Sequence, residues 1–242
     1  MNLFAQYKDA PDLPGADFEF HLRRLRPVID ALANQDSMLK DWYIQGGAEE
    51  AMKCRVYGDD HQPSPGAVDE MIKEYKGKSR DDPKSIGIWN GATQKYGASF
   101  MISLDGGYNP SQNIDFNAKE TSISSSRLGD FRSVAQIIEK VVEMYAPSYA
   151  IYGPRKYFQE SVFNDRPGVS WMLYLPYVLT SNQVPEARAL IPITRDGGQQ
   201  GTIIVSVTDE VFNVNDRAHV KVANDIEIRL ANQDLLPRFI DL

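Results

Sequence analysis

The chain has 242 residues, of which 42% are hydrophobic and 24% charged, with a formal net charge of −7. It is long enough to bury a full core and too apolar to be disordered. The acid excess argues against a nucleic-acid binder, which needs a basic surface. No apolar run reaches the roughly 20 residues of a membrane span. Cys54 is the sole cysteine, which excludes an intrachain disulfide and a cysteine metal site.

Asn2 to Tyr7 is short and apolar and reads as a first strand. The opening MNLFAQYKDAPDLP has no basic stretch followed by an apolar one, so no secretion signal is expected and the cytoplasm is. APDLPG is a turn region. Asp17 then caps a helix to about Asn34, in which Phe18, Leu22, Leu25, Ile29 and Leu32 recur at helical spacing. Pro27 inside that pattern predicts a kink or a break. Ser37 to Ile44 carries the large residues Trp42 and Tyr43, expected to pack in or near the core. Gly46-Gly47 ends that segment, Ala48 to Lys53 suggests a helical turn, and Cys54 to Tyr57 a short strand. Gly58 to Gly66 is a loop by composition. Gly66 to Tyr75 follows as a helix with Val68, Met71, Ile72 and Tyr75 on one side. Residues 76–84 are polar and charged and are the best candidate for an internal boundary in what reads as a single domain over 1–242.

Ser85 to Leu104 reads as a hairpin. Ile86 and Ile88 alternate with Gly87 and Trp89, and Ala98, Phe100, Ile102 and Leu104 alternate with Ser99, Met101 and Ser103. With the isoleucines inward, Trp89 is left on the face of Ser99 and Met101. Asn90-Gly91 opens the connection, since both residue types tolerate positive φ. Gln112 to Phe116 is the next strand candidate, and Thr121 to Leu128 a loop. Asp130 to Ala146 is a helix capped by Asp130 and stopped by Pro147, with Phe131, Val134, Ile138, Val141 and Tyr145 along one face. Ser148 to Gly153 reads as a strand. A long loop runs from Pro154 to Pro167. Gly168 to Leu179 reads as a buried strand limited by Pro176. Arg188 to Thr194 and Gly201 to Thr208 flank Asp196-Gly197-Gly198 as a second hairpin. Asn215 or Asp216 caps a last helix to about Gln233, with Ala223, Ile226 and Leu230 inward. Strands then helix occur twice, over 85–146 and 168–233. The fold class is α+β, a mostly antiparallel sheet with helices packed on it.

Catalytic motifs are absent. There is no nucleophile elbow, no phosphate-binding glycine loop with its lysine, and no H-E-x-x-H pair. His21, His61 and His219 lie far apart in sequence. The carboxylate pairs Asp59-Asp60, Asp69-Glu70 and Asp81-Asp82 lack calcium-loop spacing, so no metal and no cofactor is expected. Residues 41–82 hold ten Asp or Glu against six Lys or Arg, a net of −4. That excess serves solubility or a basic partner.

The run Ser85-Ile86-Gly87-Ile88-Trp89-Asn90-Gly91 resembles the signature strand of the immunity protein 52 family of bacterial polymorphic toxin systems. The order of the other segments is similar too. An aromatic first strand (Phe4, Tyr7) leads to a helix and to Trp42-Tyr43. Tyr145-Ala146-Pro147 ends a middle helix, and Leu230 precedes Leu235-Leu236 at the end of the last one. Asp234 stands where the family pattern often has glycine. The resemblance implies a non-catalytic antidote that binds a cognate nuclease toxin of restriction-endonuclease-like fold, a protein partner and not nucleic acid or a membrane. A nuclease holds phosphates in a basic cleft. An acidic antidote either fills that cleft or binds elsewhere on the toxin. Asp59, Asp60, Asp81 and Asp82 are the candidate acidic contacts. Trp89 and Tyr108 are candidate aromatic anchors, although a strand tryptophan more often serves packing. The competing reading is a small-molecule-binding module, which needs a deep apolar pocket.

Overall fold

A computed structural model describes residues 1–10, 13–45, 53–78, 82–104, 112–122 and 124–242. Nine strands form one antiparallel sheet in the order β2-β3-β4-β5-β1-β6-β7-β9-β8. They are β1 Asn2–Gln6, β2 Tyr43–Ile44, β3 Ser85–Trp89, β4 Ala98–Ser103, β5 Asn113–Ala118, β6 Tyr149–Gly153, β7 Met172–Leu175, β8 Ala189–Arg195 and β9 Gly198–Val205. Four helices accompany them: α1 Phe18–Gln35, α2 Pro65–Glu74, α3 Phe131–Tyr145 and α4 Arg217–Ala231. The α+β class is therefore what this chain forms. Strands from both sides of residues 76–84 join the same sheet.

Each helix starts where a side chain can satisfy its free N–H groups. Asp17 accepts from Phe20 N, Ser64 from Ala67 N, Asp130 from Arg132 and Ser133 N, and Asp216 from Ala218 N. Two expectations are narrowed in the helices. α1 runs through Pro27 without a break. The proline sits off the buried stripe, where water can reach the carbonyl it leaves free, and Leu25, Val28 and Ile29 pin the helix on the other side. In α2 the inward residues are Ala67 and Met71, while Ile72 is 52% exposed. Cys54 to Tyr57 forms only isolated bridges, Tyr43↔Arg55 and Tyr57↔Pro63. β7 is shorter than expected and stops at Leu175, directly before Pro176.

One face of the sheet carries the core. Leu3, Ile86, Ile88, Phe100, Ile102, Ile114 and Phe116 are all within 2% of full burial. Trp42 packs on Phe100 with centroids 5.0 Å apart, and Phe100 on Phe116 at 4.8 Å. Burying each such side chain stabilises by about 1.5–3 kcal/mol. α1 and α3 pack together over this face. Arg24 of α1 ties them to β1: it donates to Met144 O at 2.7 Å, pairs with Asp9, and lies over the rings of Tyr145 and Tyr7.

The two halves of the sheet differ. Every residue of β6 and β7 is buried, so these two strands are covered on both faces, while β8 at the edge is mostly half-buried or exposed. Tyr149 points away from the α1–α3 face and meets Phe239, centroids 6.0 Å apart, so the segment after α4 covers this second face. In β3 and β5 burial alternates strictly, buried and half-buried, and β4 alternates the same way with one exposed position. Here the second face stays open.

Candidate functional site

The open face is organised by the β3–β4 hairpin. Its register pairs Ser85 with Ser103 and Trp89 with Ser99, which puts Trp89, Met101, Ser99, Asp115 and Asn117 on the face opposite the buried core. Met101 is 43% exposed there. Residues 90–97 connect the strands, with a 3-10 turn over Gln94–Tyr96. Asn90 does not adopt positive φ. It works through its side chain instead, which is buried and holds the connection at four points. Its Nδ2 donates to Met38 O (3.1 Å) and Tyr96 O (2.9 Å). Its Oδ1 accepts from Ala98 N (2.9 Å) and Ala92 N (3.3 Å). Gly91 supplies the turn with φ of 69°, and a Cβ there would lie 2.8 Å from the Tyr43 ring. Tyr43 is the cross-strand partner of Trp89.

Trp89 is half-buried and walls two depressions. The larger, about 630 Å³, runs beside Ala98, Ala118, Asn117, Lys119 and Arg155. Arg155 pairs with Asp115 at 2.6 Å, and Asp115 accepts from Asn2 Nδ2 and Asn117 Nδ2. The other, about 470 Å³, is bounded by Trp89, Tyr43, Asp41 and Lys53. The Trp89 indole N–H is buried and has no hydrogen-bond partner among the described residues. Such a group is rare enough to need an explanation.

The candidate acidic residues fall in different places. Arg55 bridges Asp41 (2.7 Å) and Asp59 (3.0 Å). Asp41 also lines the second depression, so Asp59 and Trp89 share one continuous surface through Asp41 and Arg55. Asp60 folds its carboxylate back onto Gln62 N. Asp82 precedes β3 at the end far from Trp89, seven residues and roughly 20 Å along an extended chain. Asp81 and Tyr108 lie outside the described residues. The site is thus an apolar groove on an open sheet face with charged margins. Such a surface binds by shape and charge.

Other titratable clusters have structural partners. Glu210, Asp216 and His219 come together at metal-ligand distance. His219 Nδ1 accepts from Asn213 N at 3.0 Å, so Nε2 carries the proton and faces Glu210 at 3.1 Å. The ring has no free lone pair for an ion, and the residues do not fit one. Glu227 on α4 is 1% exposed, and no spacing rule pointed to it. Its carboxylate accepts from Tyr157 OH (2.6 Å), Val169 N (2.9 Å) and Val162 N (2.7 Å), pinning the 154–169 loop. Burial pushes its pKa up, against the pull of those three donors. Desolvation raises the Tyr157 hydroxyl as well, reinforced by the carboxylate beside it.

Among the described residues, no helix is long and apolar enough to cross a membrane. A family model described as Immunity protein 52 matches residues 18–238. No curated protein matches the chain. Among solved structures, Pseudomonas aeruginosa T6SS protein PA0821 is similar at 12% identity with a TM-score of 0.48, over 93% of this chain and 72% of that one.

Proposed function

The chain belongs to the immunity protein 52 family, and from that premise we propose that it binds and silences a cognate secreted toxin, a nuclease of restriction-endonuclease-like fold, in the cytoplasm of the cell that makes both. It acts by binding and carries out no reaction. The single observation that supports a docking role is the asymmetry of the sheet. β6 and β7 are buried on both faces, while β3, β4 and β5 keep one face open. Trp89 and Met101 stand on that open face, and a half-buried tryptophan beside a groove is the kind of residue that anchors interfaces.

The proposed contacts are Trp89 at the centre, Asp59 and Asp60 at one margin, and Asp82 at the far end of the hairpin. Asp81 and Tyr108 complete the set. Carboxylates at a margin draw in a basic nuclease surface and speed encounter. The anchor and the groove then set how long the complex lasts. Access of DNA is lost because the two proteins occlude each other, with no chemistry required of the antidote.

The test is to co-purify this chain with the C-terminal domain of the toxin encoded beside it, then assay that domain on DNA with and without the chain. A nanomolar complex, about −12 kcal/mol, that abolishes cleavage is the expected result. Absence of a complex overturns the proposal. Stabilisation by a metabolite in its place would return the chain to the small-molecule class.

A further inference from the structure

We propose that the groove beside Trp89 seats an acidic segment of the cognate toxin, a carboxylate with an apolar side chain next to it. The inference rests on the immunity reading above and adds the chemistry of the partner's contact.

Charge is the first argument. The chain carries 33 Asp and Glu against 26 Lys and Arg, yet the described residues that line this groove include Lys119 and Arg155 and no carboxylate. Lys119 is exposed, and its ammonium makes no ion pair with any of the described residues. Arg155 is 63% exposed along its side chain. It spends one N–H on Asp115, which two asparagines already hold, so its guanidinium is fixed at the margin of the groove. Two cations beside an apolar wall in an otherwise acidic protein match an anion that arrives attached to something apolar.

Shape is the second argument. Trp89 is half-buried and its ring walls the groove. With Met1 and Ala92 it gives the depression, about 630 Å³, an apolar lining that suits one aliphatic or aromatic side chain. The acidic margin at Asp59 and this cationic groove would then meet different parts of the same toxin, one basic and one acidic.

The test uses the full chain and the C-terminal domain of the neighbouring toxin, with association and dissociation rates measured between 50 and 300 mM salt. The variants are Lys119→Glu and Lys119→Glu/Arg155→Glu, each checked by thermal melting. We expect about a tenfold loss of affinity for the single reversal and about a hundredfold for the double, larger at low salt. Reversing the matching toxin carboxylate to lysine, found by scanning its Asp and Glu residues, restores binding to Lys119→Glu. Folded variants that bind like wild type overturn the groove assignment and leave the immunity reading intact. A wild-type chain that binds no toxin overturns the immunity reading instead. A dimer of the chain alone, seen by sedimentation and lost in Lys119→Glu, shows that a second copy occupies the groove and also overturns the assignment.

Discussion

Replacing Asn90 with alanine should unfold the chain more easily without touching any partner. The side chain is 6% exposed and closes four hydrogen bonds, to Met38 O, Tyr96 O, Ala92 N and Ala98 N. The Ala98 N–H is buried and would lose this acceptor outright, which costs about 1–3 kcal/mol. The other three groups are partly solvated, so each costs less, near the ~0.5–1 kcal/mol of an ordinary bond. The sum is about 2.5–6 kcal/mol, or a fall of roughly 5–24 °C in Tm for a chain of this length. Asn90→Asp sharpens the test. It keeps both accepted bonds but turns a carboxylate toward two carbonyls. At neutral pH it should be at least as damaging as alanine. Its carboxyl pKa should rise in the folded state, so the extra loss is present at neutral pH and recovers as pH falls through that pKa toward about 4. Urea unfolding at pH 7 and pH 4 reads both effects. If Asn90→Ala changes stability by less than about 0.5 kcal/mol, against the ~1–3 expected for one buried donor alone, these bonds do not hold the connection and the reasoning is wrong.

Glu227→Gln should cost about 1–3 kcal/mol, because an amide group then faces a backbone N–H at Val162 or Val169. The wild-type carboxyl has a raised folded pKa, so the unfolded chain releases its proton first as pH climbs past about 4.5; the stability it contributes is full below that and is lost through the folded pKa, a slope the glutamine variant lacks in denaturant melts from pH 4 to 8. Arg127→Met removes a guanidinium whose side chain is 4% exposed and leaves Asp36 unpaired, which should cost about 3–5 kcal/mol. Adding Asp36→Asn should recover a large part of that loss in the same thermal melts. Asp234→Gly should stabilise by about 1 kcal/mol, since Asp234 sits at φ of 55° directly after α4 and glycine adopts that conformation freely.

The hairpin was legible because strand alternation is a local rule. Ile86, Ile88, Phe100 and Ile102 could be placed inward, and Trp89 outward, from their spacing alone. Three of the four helix caps were legible, with Asn215 and Asp216 left as alternatives for the last, because a cap lies within three residues of its donors; Ser64 was not read as the cap of α2. Asp234 shows a local rule met by an unexpected residue: an aspartate takes the left-handed position where glycine is usual, and Leu235 N still reaches back to Leu230 O. What could not be read are contacts that only the sheet order creates. Glu227 meets Val162 and Val169 across more than 50 residues, and Arg127 meets Asp36 across 91. The open face was not legible either. β3 to β5 alternate as any half-buried strands do, and where the 154–169 loop and the segment after α4 land decides which part of the sheet is covered on its second face.

That geography also divides the roles of charge. Asp59 is almost fully exposed and already pairs with Arg55, and a solvent-screened pair of this kind contributes little to stability. Asp59 and Asp60 therefore have little to give a finished complex and more to give the approach to one. Reversing both to lysine should slow association severalfold at 50 mM salt and much less above 0.3 M, because the screening length falls to well under about 8 Å there. Dissociation should stay near wild type. Trp89→Ala should do the opposite, raising the dissociation rate and sparing association at any salt. Rapid-mixing kinetics with the neighbouring toxin domain separates the two. A change in dissociation on reversing the aspartates would place that loop inside the interface and not at its margin.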